Sequence, residues 1–204
     1  MASRVKPPGR EAAPAKPALR SSEAALPATF VPNAAEAAQR KLRTLEAILA
    51  SKNDNDSRLD TDFNHLSREA KALFRKQYLA IPPEMRNDRG TIVYILGKPG
   101  NLTAPEDWAF LKGVAEEPPC LSLEDCSRPM NASVDREEPG LEVTLAYPQL
   151  VALKQMERVL TGPRAGGSSP ETLEEARAVV EAGASSPSPQ VARLARRILQ
   201  ILSK

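Results

Sequence analysis

Apolar residues recur at steps of three and four positions through most of the chain after Asn33. In an α-helix this spacing gathers apolar side chains on one face, and that face must be buried against another helix. Aromatic residues make up only 4% of the chain, which suits closely packed helices better than a stacked β-sandwich. The pattern therefore predicts an all-α fold, a bundle of stacked antiparallel helices.

Helix starts are marked by residues whose side chains can cap them. A capping side chain accepts a hydrogen bond from a backbone N–H one turn further along. The predicted helices include those that begin after Asn33, Ser67, Thr103, Ser169 and Ser188. At the third of these, Thr103 and Glu106 have the spacing of a capping box, with Pro105 in the first turn.

The segment TIVYILG, residues 91–97, is open to two interpretations. Its β-branched residues and its tyrosine favour a strand. A short apolar run is equally compatible with a buried helix. The only convincing partner strand is LEVTLAY at 141–147, and an isolated strand is not stable. We favour a buried helix that runs from about Pro83, with the strand as the alternative.

Composition divides the chain into segments. Residues 1–33 are rich in proline and alanine and have no helical or strand period, which predicts a disordered tail. Residues 34–162 are predicted to form a helical domain that contains a long loop at 118–140. A flexible linker at 163–168 then leads to a C-terminal helical hairpin at 169–204.

The C-terminal hairpin resembles a HEAT-type repeat. In that family the second helix follows a turn that reads roughly Asp-Pro-x-Val-Arg, and alanine and leucine follow at set intervals. The matching residues here are Pro189, Val191, Ala195, Leu199 and Leu202. The chain departs from the family where Ser188 replaces the aspartate and Ala192 the arginine. The resemblance implies helix pairs that stack and present an extended surface to partners.

Residues suited to catalysis are few and form no recognisable motif. His65 is the only histidine, and no serine lies in a Gly-x-Ser-x-Gly turn. Cys120 and Cys126 are separated by five residues, which does not match the spacing of a zinc knuckle. We therefore expect no catalytic centre, no metal and no cofactor, and in a reducing compartment no disulfide.

Charge and hydropathy restrict the class of partner and the compartment. The formal net charge of +2 is nearly neutral for 204 residues, whereas a dedicated nucleic-acid binder usually carries a clear basic surplus. No apolar run is long enough to span a membrane, and no apolar stretch of the secretory type follows the basic N-terminus. The sequence thus predicts a cytoplasmic protein with no membrane partner.

Two groups of residues are candidates for binding a partner. Arg193, Arg196 and Arg197 are spaced so that they share one face of the last helix. Trp108 and Phe110 form the main aromatic concentration. We expect Trp108 to pack in the core, which leaves Phe110 as the exposed contact.

These features favour a non-enzymatic adaptor or scaffold that binds another protein through a helical-repeat-like body. The alternative is a nucleic-acid-binding module that uses the basic face of the last helix and the basic tail, and its binding would weaken steeply with salt. A third possibility is a base-excision enzyme on a helical-repeat scaffold. For that class, the candidate pair of a carboxylate beside an aromatic residue is Asp107-Trp108.

Overall fold

The computed structural model describes residues 33–129, 140–163 and 165–203, and every regular element in these ranges is helical. The α-helices are α1 (Ala34–Ser51), α2 (Arg58–Thr61), α3 (Arg68–Ala80), α4 (Arg86–Leu96), α5 (Pro105–Glu116), α6 (Leu141–Leu145), α7 (Tyr147–Thr161), α8 (Pro170–Ala184) and α9 (Pro189–Leu202). Short 3-10 turns occupy Pro99–Asn101 and Ala165–Gly167. The all-α prediction is confirmed. Apart from Asn33, the tail predicted at 1–33 lies outside the described residues.

Side-chain caps begin four of the helices at the predicted residues. The acceptor and donor pairs are Asn33 with the N–H of Glu36 at 2.9 Å, Ser67 with that of Ala70 at 3.2 Å, Ser169 with that of Thr172 at 3.2 Å and Ser188 with that of Val191 at 3.5 Å. Each cap satisfies a backbone donor that the first helical turn would leave unpaired.

The capping box predicted from Thr103 and Glu106 is wrong. Helix α5 begins at Pro105, and the residue before it, Ala104, has no side-chain oxygen. The carboxylate of Asp107 accepts hydrogen bonds from the backbone N–H groups of Thr103 at 3.1 Å and Ala104 at 3.0 Å. The capping carboxylate therefore lies one position beyond the predicted one.

Residues 91–96 belong to helix α4 and Gly97 is its C-cap, which confirms the helical interpretation. Ile92, Val93 and Ile95 are fully buried, and this explains why the run is apolar on several sides. The candidate partner strand at 141–147 is helical as well, in α6 and the start of α7. Helix α4 begins at Arg86, three residues later than predicted.

Helix α7 lies at the centre of the packing. It packs against α4, α5, α8 and α9. Its side chains Ala152, Leu153 and Met156 have no exposed surface, as expected of a helix enclosed by neighbours. Helix α1 packs on α3 at one side, and α3 packs on α4. None of the described helices is long and apolar enough to cross a membrane.

The C-terminal hairpin of α8 and α9 packs on the helices that precede it. Helix α8 contacts α5 and α7, and α9 contacts α7. The predicted apolar faces are the buried ones: Ala176, Val179 and Val180 on α8, and Val191, Ala195 and Ile198 on α9. The resemblance to HEAT-type repeats stays a prediction, since helix packing alone does not identify a family.

Candidate binding sites

The arginines of α9 lie where their spacing predicts. Arg193, Arg196 and Arg197 are all exposed, while Val191 and Ile198 on the same helix are fully buried. Because the buried residues fix the rotation of α9 about its axis, the three guanidinium groups extend from the side that faces away from the core.

The positive charge of this arginine row is poorly compensated. Arg193 makes no hydrogen bond or ion pair with any residue in the described part of the chain. Arg196 donates to the backbone oxygen of Ala184 at 3.5 Å. Arg197 lies 3.9 Å from the carboxylate of Glu157, which Lys154 already holds at 2.6 Å. The row therefore presents guanidinium groups that are available to an acidic partner.

Two depressions adjoin the arginine row. All three arginines line a groove of about 520 Å³ beside the connection between α8 and α9. Arg193 and Arg197 also line a smaller, mainly apolar groove of about 190 Å³. The apolar residues of the smaller groove are Val143, Leu150 and Leu194, of which Val143 is 45% exposed. We call these three residues, together with the three arginines, the α9 surface.

The structure does not bring Phe110 to the α9 surface. Phe110 lies on α5, is half-buried, and contacts the ring of Tyr78 edge-to-face with 5.1 Å between the ring centroids. It lines neither groove beside the arginines. Trp108 is 7% exposed, which confirms its predicted place in the core. Phe110 remains a predicted partner contact, at a location separate from the α9 surface.

The candidate residues for chemistry are engaged in structural contacts. Asp107 is 3% exposed and bound by both Lys71 and Arg75, so its carboxylate has no access to a substrate. His65 has a backbone φ of 53° in the turn before α3. Within the described ranges, no group of three or more histidine, cysteine, aspartate or glutamate residues is placed to hold a metal ion.

A cavity of about 670 Å³ lies between the start of α4, the segment after α5 and the start of α7. Its apolar wall is formed by Leu121, Leu145, the paired sulfurs of Cys120 and Cys126, and five prolines. These prolines are Pro83, Pro118, Pro119, Pro148 and Pro187. We call it the proline-lined cavity. Proline has no backbone N–H, so this wall offers a ligand few hydrogen-bond donors from the main chain.

A disulfide between Cys120 and Cys126 closes the loop beside this cavity. The expectation that the two cysteines are unpaired is therefore wrong. The loop is held to the start of α4 by Arg86, which donates to the backbone oxygens of Ser122 at 3.3 Å and Leu123 at 3.2 Å. Glu84 adds a third contact by accepting the N–H of Cys126 at 3.0 Å.

The polar part of the cavity wall is supplied by Arg86, Arg89, Gln149, Glu117 and Ser127. Arg86 is 8% exposed and has no carboxylate within ion-pair distance in the described structure. Burial lowers the pKa of its guanidinium, which nevertheless stays protonated at neutral pH. Arg89 is paired with Glu117 at 3.2 Å and lies over the ring of Tyr78, with 4.0 Å to the centroid. The charge of Arg89 is therefore balanced by a direct ion pair, and that of Arg86 only by the more distant carboxylate of Glu84.

Three buried polar atoms in this wall have no hydrogen-bond partner among the described residues. They are Nε of Arg86, Nε of Arg89 and Oε1 of Gln149. Gln149 is 3% exposed and uses its amide N–H groups on the backbone oxygens of Glu117 and Pro118, both at 3.2 Å. Buried polar atoms are normally paired, so three orphans beside one cavity mark a place where a partner is missing.

The cavity was missed at the level of sequence because its residues come from four separate segments. One signal was present: Arg86 and Arg89 stand three positions apart, which puts both on one face of α4. The nearby prolines predict only where helices begin or end.

Comparison with family models, curated proteins and solved structures finds no match to this chain. Its function is therefore inferred from the α9 surface and the proline-lined cavity themselves.

Proposed function

We propose that this chain is a non-enzymatic adaptor or scaffold that binds another protein through the α9 surface. The observation that carries the proposal is the row of exposed, poorly compensated arginines next to an apolar groove. Partner segments that fit this surface combine acidic side chains with aliphatic ones. The acidic groups would pair with Arg193 and Arg197, and the aliphatic groups would cover Val143 and Leu194.

The composition of the α9 surface favours a protein over a nucleic acid. The apolar residues of its smaller groove offer nothing to a phosphate backbone, whereas aliphatic contacts are typical of protein interfaces.

Nucleic acid is the second candidate, and the uncompensated arginine row is the observation in its favour. The two candidates differ in their response to salt. Binding to phosphates collapses between roughly 50 and 200 mM salt because condensed counterions are released, while a partly apolar protein contact survives.

The experiment is an affinity pull-down from native lysate with tagged full-length protein and two α9-surface variants. One variant carries Arg193→Gln and Arg197→Gln, and the other carries Val143→Asp. The matched control is Arg177→Gln, an exposed arginine on α8 whose ion pair with Glu181 spans one helical turn. We expect the wild type and the control to retain the same lysate protein at moderate salt. Both α9-surface variants should fail to retain it.

Retention by every variant would show that the α9 surface is not the site. Recovery of nucleic acid that nuclease removes, and that only the arginine variant loses, would establish the second candidate instead.

A cytoplasmic location is part of the proposal and follows from the sequence. The Cys120–Cys126 disulfide points the other way, since such bonds are rare in the cytosol. Cell fractionation with thiol alkylation before lysis tests both the location of the protein and the state of its cysteines. Alkylated cysteines in the cytosolic fraction would support the location, and an unmodified protein in a membrane-enclosed fraction would overturn it.

A further inference from the structure

We infer that the proline-lined cavity is a binding site for a small apolar molecule that carries a carboxylate. This inference is independent of the proposed adaptor function. The cavity shares only Pro187 with the groove lined by the three arginines and no residue with the smaller apolar groove.

The size and lining of the cavity fit a small molecule. About 670 Å³ lies within the range of small-molecule sites, which bury most of a ligand's surface against apolar walls. Prolines and the disulfide form much of this wall, and neither has side-chain rotamers to lose on binding. The wall is thus a rigid surface for an apolar body of moderate length.

The charge of the wall specifies an anion. Arg89 is paired with Glu117, whereas Arg86 is held only by uncharged acceptors, namely two backbone oxygens and, at 4.0 Å, the sulfur of Cys126. Arg86 is a buried guanidinium on which the charge of Glu84 acts without forming an ion pair in the described structure, and a buried charge is normally paired directly. A ligand with one negative charge that lies against the wall would pair with the guanidinium of Arg86.

Gln149 provides a second polar contact. Both of its recorded hydrogen bonds use the amide nitrogen, which leaves Oε1 as a buried acceptor without a donor in the described structure. The cavity therefore combines a guanidinium and an amide with a mainly apolar wall that is partly open to solvent.

Three probes of equal chain length test the inference by isothermal titration calorimetry on the full-length protein: decanoate, 1-decanol and decyltrimethylammonium, each below its micelle concentration. We expect decanoate to bind at one site about tenfold or more tighter than decanol, because it gains a charged hydrogen bond. The cation should be the weakest of the three. Equal affinities for all three would show adsorption to apolar surface and overturn the inference. Inorganic phosphate is a fourth probe, because it carries negative charge but no apolar chain. If phosphate bound as tightly as decanoate, the cavity would be a general anion site and the inference would be overturned.

A pair of variants in the disulfide loop locates the site. Leu121 lines the cavity and is 47% exposed, while Leu123 is 37% exposed and does not line it. Both side chains already contact water, so replacement by aspartate is compatible with folding, which a thermal melt verifies. Leu121→Asp should weaken decanoate binding about tenfold or more through repulsion and lost apolar contact, and Leu123→Asp should preserve it. An equal effect of the two variants would place decanoate elsewhere.

Arg86→Gln gives an independent readout. It should abolish the preference for decanoate over decanol. The double variant with Arg193→Gln and Arg197→Gln should bind decanoate as the wild type does. Failure of the cavity inference can therefore be distinguished from failure of the proposed α9-surface function. A preference for decanoate that persists in a folded Arg86→Gln variant would refute the role of Arg86.

Discussion

Lys71 and Asp107 form an ion pair in which neither side chain is more than 3% exposed, and the pair joins α3 to α5. The ammonium group of Lys71 also donates to the backbone oxygen of Asn101 at 2.9 Å and to the hydroxyl of Thr103 at 2.8 Å. Arg75 binds the second oxygen of Asp107 at 2.7 Å. Every polar group of this buried pair is thereby satisfied, so the loss of Asp107 leaves Lys71 as an uncompensated charge in the core, whereas the loss of Lys71 leaves Asp107 paired with Arg75.

Replacement of Asp107 by Asn should lower the free energy of unfolding by about 3–5 kcal/mol. Replacement of Lys71 by Met should lower it less, because Asp107 keeps its ion pair with Arg75. The measurement is urea denaturation followed by circular dichroism. Arg177→Gln, which breaks an exposed pair on α8, should change it by no more than about 0.5 kcal/mol. If all three variants unfold at the wild-type midpoint, the buried pair does not join the helices as described.

Two helical glycines should respond to alanine in opposite directions. A Cβ atom at Gly183 would lie 2.9 Å from Cδ2 of Leu153, in the contact between α8 and α7. We expect Gly183→Ala to destabilise the protein by about 1–3 kcal/mol through overpacking. Gly113 lies exposed in α5 with nothing within 4 Å of the new Cβ, so Gly113→Ala should stabilise by about 0.5–1 kcal/mol. Thermal melts of both variants provide the comparison, and a stabilised Gly183→Ala would contradict the packing of α8 on α7.

The hydroxyl of Tyr78 should make the protein sensitive to alkaline pH. Tyr78 is 1% exposed and donates to Glu117 at 2.9 Å, and burial, followed by the charge of Glu117, raises the pKa of Tyr78 far above its usual value of 10. Because the folded pKa exceeds the unfolded one, this contribution is fully present below pH 10 and is lost as the pH rises further. Stability should fall by up to about 1.4 kcal/mol per pH unit above that point.

Urea denaturation at several pH values from 9 to about 11.5 measures this loss. Tyr78→Phe is the control, since it removes the titrating group and should make the decline shallower. An equally steep decline in Tyr78→Phe would assign the alkaline sensitivity to other groups.

The Cys120–Cys126 disulfide should protect both cysteines and stabilise the fold modestly. In the native protein without reductant, iodoacetamide should add no mass at either residue. Reduction should lower the free energy of unfolding by about 2 kcal/mol, because a bond that closes so short a loop removes little entropy from the unfolded chain. Mass spectrometry and urea denaturation give the two readouts. Two alkyl groups on the unreduced native protein would show that the bond is absent.

The features that the sequence predicts well are those set by neighbouring residues. Asn33 and Ser67 cap their helices because each side chain needs only a backbone N–H three positions ahead. Residues 91–97 required one additional argument, the lack of a stable partner strand. The α9 arginines were predicted correctly in position because their exposure follows from the apolar stripe on the same helix.

The features that the sequence does not predict are set by contacts between distant residues. Asp107 replaces Glu106 as the capping carboxylate of α5 because Lys71 and Arg75 hold it from another helix. The proline-lined cavity is the larger case, since Arg86 and Gln149 meet only when α4 and α7 pack together. No local pattern in either segment predicts that Arg86 and Gln149 lie in the same cavity wall.

The central place of α7 determines when this chain can fold during its synthesis. Helices α4 and α5 bury their apolar faces against α7, yet α5 ends at Glu116 and α7 begins only at Tyr147. A ribosome delivers these helices one after another, so the earlier ones emerge before the surface that covers them exists. A nascent chain that stalls before Tyr147 therefore exposes those faces to chaperones and proteases.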